Sequence, residues 1–77
     1  MAAYIELKLF ASLKTYLPQG AERFPIQAGD TVEALTKRLG IPLDEVKLIF
    51  VNGVKVQMSS ILGGGDRVGI FPPVGGG

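Results

Sequence analysis

GDTVEALTKRLG, residues 29–40, is the clearest helical pattern in this chain of 77 residues, and its reading decides the fold. Val32, Leu35 and Leu39 recur at the three- and four-residue spacing that lines one side of a helix. Asp30 stands before the stripe with Glu33 three residues later, the spacing of a capping box, and Gly40 supplies a left-handed exit. A helix with a single apolar stripe needs a sheet to cover it.

The segments on either side are extended. Toward the N-terminus, residues 21–27 place Phe24 and Ile26 two apart with Pro25 between them; proline has no N–H for a ladder, which favours an edge strand. Residues 11–17, with Leu13 and Leu17 four apart and Pro18 and Gly20 behind them, suit about two turns of helix. From Tyr4 to Phe10 the side chains alternate: Ile5, Leu7 and Leu9 point one way and Tyr4, Glu6, Lys8 and Phe10 the other, the mark of a strand with one buried face.

Toward the C-terminus, residues 41–46 read as a turn or short helix, and residues 47–51, apolar on both sides, as a central strand. Asn52-Gly53 then predicts a type I′ hairpin into residues 54–57. After an irregular turn over 58–62 and a tight Gly63-Gly64-Gly65-Asp66 loop, residues 67–71 form the last strand. Val68 and Ile70 share one face, Gly69 and Phe71 the other, and Pro72 ends the ladder. This order predicts an α+β fold, the β-grasp: a mixed sheet packed against one main helix. Residues 1–72 are expected to form that domain and residues 73–77 a flexible Gly-rich C-terminal tail.

Composition narrows the function. With 47% apolar and 19% charged residues the chain is a globular domain with one small core, and it leaves little room for an elaborate buried active site. Net charge is +1, and the eight Lys and Arg residues are scattered singly, so no basic stripe tracks a phosphate backbone and nucleic acid is not an expected partner. Cys and His are both absent, which removes disulfides, thiolate nucleophiles, imidazole bases and the usual zinc ligands; no metal site is expected. The first ten residues have no basic n-region, and no apolar run is long enough to span a bilayer, so no membrane partner and a cytoplasmic location are expected.

Four features remain as candidates. The triple glycine before Asp66 lacks both the G-x-G-x-x-G spacing and a G-K-[ST] ending, and it precedes a strand where a phosphate loop opens a helix; a turn needing positive φ accounts for it better. Asp30, Glu33, Asp44, Glu45 and Asp66 fall at the cap or at turns, where carboxylates have structural work. Phe10 and Phe71 each point away from the core side of their strands. Either they form an exposed apolar patch of the kind that marks a partner site, or the short helix or a slip of register buries them. Last, Pro72 and Pro73 stiffen the exit from the sheet, Val74 is an apolar handle, and Gly75, Gly76 and Gly77 extend about 10 Å as a thread without β-carbons. A frayed terminus is the plain account of such a tail; a carboxylate on a thread able to enter a narrow channel is the other.

FPPVGGG (71–77), with LGGGDRV (62–68), the VNG (51–53) of the hairpin and TVEAL (31–35) at the start of the helix, resembles the MoaD/ThiS family of ubiquitin-like sulfur carriers, whose members end in a Pro-Pro-Val-x-Gly-Gly type of sequence. The resemblance covers the whole chain, and the ending is its specific part. Gly64 stands where the family's turn usually has an acid, and Gly75 fills the variable position before the terminal pair. LFASLKTYL (9–17) is a helical insertion closer to MoaD, the molybdopterin synthase small subunit, than to ThiS.

The resemblance implies a ubiquitin-like fold and a carrier that is not itself an enzyme. Its terminal carboxylate, on Gly77, would be adenylated from ATP by a ubiquitin-activating-like adenylyltransferase and converted to a thiocarboxylate; Gly76 would let the backbone lie flat in the channel. The sulfur would then pass to the large subunit of molybdopterin synthase, or to thiazole synthase if the carrier is ThiS-like. No cofactor would be bound to the carrier, which would be a monomer when free. Phe10 and Phe71 would be apolar anchors for the partner, with Lys14, Pro72 and Pro73 as further contacts and Gly75 and Val74 in the tail. Two other roles stay open: a ubiquitin-like modifier joined through Gly77 to lysines of other proteins, and a binding module whose tail is inert.

Overall fold

The computed structural model describes residues 3–73. Strands β1 (Ala3–Leu9), β2 (Phe24–Ile26), β3 (Leu48–Val51), β4 (Val54–Val56) and β5 (Arg67–Phe71) form one sheet in the order β2-β1-β5-β3-β4, with one α-helix, α1 (Val32–Leu39). β1 and β5 run parallel and every other neighbouring pair antiparallel. The sheet is therefore mixed, and the last strand lies between the first and the third, as the β-grasp requires.

Period two in the strands puts one face of the sheet against α1. Ile5, Leu7, Leu9, Ile26, Ile49, Val68 and Ile70 meet Val32 and Leu35 there, with Leu13, Ile41 and Leu62 closing the ends; none is more than 4% exposed. Leu39 completes the expected stripe, half-buried. Pro25 sits in β2, which pairs only with β1 and is an edge strand as its proline predicts.

The helix start differs from expectation. Thr31, not Asp30, is the N-cap: its Oγ1 accepts from Ala34 N at 3.1 Å. Asp30 is engaged elsewhere, accepting from Gln27 N at 2.9 Å and pairing with Arg38 at 2.7 Å, while Glu33 pairs along the helix with Lys37. The first two helical N–H groups donate to Ser60 and Met58 carbonyls at 3.0 and 2.9 Å, so the loop before β5 caps the helix that the sequence expected to cap itself. Gly40 does supply the left-handed exit, at φ 80°.

Two elements are tighter than their patterns suggest. Residues 11–16 form a 3-10 helix, entered through Ala11 at φ 53°, and its geometry turns Leu13 into the core while leaving Leu17 exposed. Residues 21–23 are also 3-10, so the extended stretch shortens to three residues. β3 is interior but one place from the edge; β5 takes the centre.

The hairpin forms as its dipeptide demands. Asn52 and Gly53 both hold positive φ, 54° and 81°, between paired Val51 and Val54. Asn52 also clamps the turn to the start of β5: its Nδ2 donates to Asp66 Oδ1 at 3.0 Å, and its Oδ1 accepts from Arg67 N at 3.0 Å. Asp66 Oδ2 in turn accepts from Gly63 N at 2.8 Å, and Gly65 takes the positive φ of that loop.

Candidate functional site

The face of the sheet turned away from α1 gathers the aromatics. Ladder register sets Lys8, Gly69, Phe50 and Lys55 abreast across four strands, with Glu6 beside Arg67 and Leu48 beside Phe71 in the rows on either side. Phe10 continues the outward parity of β1, because its N–H still donates to Ile70 O, at 3.2 Å, before the chain turns at Ala11. It therefore stands next to Phe71, and the two rings stack with parallel planes and centroids 4.1 Å apart. Phe50, a diagonal neighbour on β3, meets Phe71 edge-on at 5.7 Å.

Gly69 makes room for this. A β-carbon there would stand 3.3 Å from Cε2 of Phe10, so the ring lies over a bare backbone. The result is a shallow cleft of about 230 Å³, floored by Gly69, walled by Phe10, Phe71 and Phe50, and bordered by Lys8 and Arg67. Both cations are largely exposed and each lies 3.7 Å from the carboxylate of Glu6.

Phe10 and Phe71 are thus brought together, half-buried, on the outer face; the short helix does not cover them. Lys14 is exposed on its 3-10 helix and does not line the cleft. Pro72 and Pro73 lead directly away from the Phe71 end of β5, half-buried and exposed, with Lys47 N to Phe71 O, 2.9 Å, as the tie beside them. Val74, Gly75, Gly76 and Gly77 lie outside the described residues. Sequence reasoning missed Phe50 and Gly69. Phe50 belonged to a strand apolar on both faces, where parity alone names no outward residue. A glycine inside a strand signals a close approach, and that clue was available at Gly69.

No group of three or more acidic side chains among the described residues is placed to hold a metal. Asp30 is held below the ordinary carboxylate range, by the Gln27 N–H first and the Arg38 guanidinium second, and it serves the turn before α1. Among the described residues no helix is long and apolar enough to cross a membrane.

A model of the Mut7-C ubiquitin family matches residues 2–75. Small archaeal modifier protein 1 of Haloferax volcanii is similar in structure, with a TM-score of 0.70 at 25% identity over 94% of this chain and 99% of that one. The HVO 2177 protein of the same organism gives 0.76 at 28% identity, over 99% and 88%. A candidate molybdopterin converting factor, subunit 1, from Pyrococcus furiosus gives 0.65 at 27%, over 94% and 99%. No curated protein sequence matches the chain.

Proposed function

We propose that this chain, which belongs to the Mut7-C ubiquitin family of ubiquitin-like proteins, is a sulfur carrier of the MoaD kind whose acyl end is Gly77. The observation that carries the reading is the aromatic cluster of Phe10, Phe71 and Phe50 placed where β5 runs into Pro72 and Pro73. A partner gripping that cluster holds the start of the tail in register with its own active site. Similarity to the Pyrococcus furiosus converting-factor subunit favours molybdopterin over other sulfur acceptors.

The chemistry asks little of the carrier's side chains. A carboxylate oxygen of Gly77 attacks the α-phosphorus of ATP and pyrophosphate leaves, giving an acyl adenylate. A sulfur nucleophile at the sulfide level adds to the acyl carbon and AMP departs, leaving the thiocarboxylate. Glycine keeps that carbon open on both sides. The partner enzyme supplies the acid, base and metal ion, and the carrier supplies recognition and reach. In complex with the large subunit of molybdopterin synthase the thiocarboxylate becomes the sulfur donor.

Intact-mass spectrometry of the protein from its own cells tests this. A fraction with one oxygen replaced by sulfur at Gly77 is expected, and it should fall in Phe10→Ser and Phe71→Ser variants that remain folded. Recovery of the free acid alone, under growth that demands the cofactor, would refute the reading.

The likeness to small archaeal modifier protein 1 favours a second role, attachment through Gly77 to lysines of other proteins. It predicts isopeptide-linked adducts that disappear when Gly77 is deleted. Both roles begin with the same acyl adenylate, so one protein can serve both.

A further inference from the structure

The outer face holds more positive charge than it neutralises, and we propose that the cleft above Gly69 docks an extended acidic segment of a partner protein. One apolar or aromatic side chain of that segment sits in the cleft lined by Phe10, Phe71 and Phe50, and its neighbouring carboxylates pair with Lys8, Arg67 and Lys55. This rests on the reading that the aromatic face meets a partner, and it names that partner's chemistry.

Charge balance carries the argument. Lys8 and Arg67 share a single carboxylate, Glu6, at 3.7 Å each, with 64% and 78% of their side chains exposed. Lys55 lies abreast of Phe50 on the same face and forms no ion pair among the described residues. The nearby Asp66 keeps its charge but forms no ion pair with them and does not line the cleft; its two oxygens accept from Asn52 Nδ2 and Gly63 N. Two cations line the apolar cleft and a third, Lys55, lies one strand beyond Phe50 on the same face, with Glu6 as the one acid among the described residues paired to any of them. Together they form a surface complementary to carboxylates flanking an apolar anchor, and such complementarity selects among partners and speeds encounter.

Gly69 is the positioning residue of this cleft. Its φ is not in the left-handed region, so backbone conformation does not require glycine there; the space under Phe10 does. A methyl group at 3.3 Å from Cε2 pushes the ring up by a few tenths of an ångström, into the volume the partner's side chain would fill.

The full chain, labelled with nitrogen-15, is titrated with three blocked peptides: one phenylalanine flanked on both sides by glutamates, the same peptide with lysines for glutamates, and the acidic peptide with serine for phenylalanine. The first should shift the amides of Lys8, Phe50, Gly69 and Phe71 and bind about tenfold more tightly than either control, an advantage that shrinks with added salt. Lys8→Glu with Arg67→Glu should reverse the preference toward the lysine peptide. Gly69→Ala should weaken the acidic peptide severalfold while the rest of the spectrum keeps its native dispersion. Equal affinity for the acidic and basic peptides overturns the proposal, as do shifts confined to another surface or tighter binding of a single-stranded oligonucleotide. The titration involves no sulfur chemistry, so its failure leaves the carrier reading standing, and a missing thiocarboxylate leaves the cleft assignment standing.

Discussion

Asn52 offers the sharpest measurement of how the hairpin and the strand bearing the aromatic face are joined. Its side chain makes two hydrogen bonds, to Asp66 and from Arg67 N, and its backbone holds φ at 54°. Replacement by glycine keeps that backbone accessible and removes both bonds, each worth about 0.5–1 kcal/mol at a solvent-exposed position. The greater freedom of glycine in the unfolded chain adds about 0.5 kcal/mol, for an expected loss of about 1.5–2.5 kcal/mol. Replacement by alanine loses the same bonds and must also hold a β-carbon in the left-handed region, at about 1–2 kcal/mol, for a total of about 2–4 kcal/mol. Urea unfolding at neutral pH, with m-values compared to confirm that both transitions expose the same surface, gives the two losses directly. Asn52→Gly as stable as the parent would refute the clamp, and Asn52→Ala no worse than Asn52→Gly would refute the role assigned to the left-handed backbone.

Other outcomes follow from the same geometry. Leu13→Ala should cost about 2–5 kcal/mol, enough to unfold much of a domain this small, and loss of the cooperative thermal transition would show it. Ala11→Gly, relieving a β-carbon at φ 53°, should match or exceed the parent by up to about 1 kcal/mol in the same urea assay. The carboxyl of Asp30 is held below its ordinary value of 3.8, so its stabilising effect is fully present above that value and is lost as pH falls through the lowered one. The urea midpoint of Asp30→Asn should therefore lie below the parent's at neutral pH, and the gap should close in strong acid; a gap independent of pH would show that the charge does not matter.

Much of the fold is legible because one-residue decisions are local. Alternation in β1, the apolar stripe of α1, Pro25 at the edge and the Asn52-Gly53 turn each follow from a side chain's own conformational preference. The departures arise where a distant group competes. Asp30 is a good cap by spacing, but Arg38, eight residues on, and the Gln27 N–H, three residues before, claim its carboxylate, and Thr31 caps instead; a capping pattern read forward from Asp30 to Glu33 contains neither partner. The 3-10 helix at residues 11–16 reflects the need to aim Leu13 at the end of the core within six residues, which apolar spacing alone does not encode. At the candidate site, outward parity brought out Phe10 and Phe71, because each lay on a strand with one clearly apolar face. Phe50 was hidden by a strand apolar on both faces, and the use of Gly69 depended on a ring from another strand.

The parallel pairing of β1 and β5 bears on how the molecule withstands load. A partner that draws the residues after Phe71 into a channel pulls β5 along its own length, while the rest of the domain, anchored through β1, resists in the opposite sense. The four register pairs between Glu6–Leu9 and Arg67–Ile70 then share the strain together, in shear, instead of opening one after another from an end. A tail attached in this way can be tugged, threaded and released without unravelling the strand to which it is fastened.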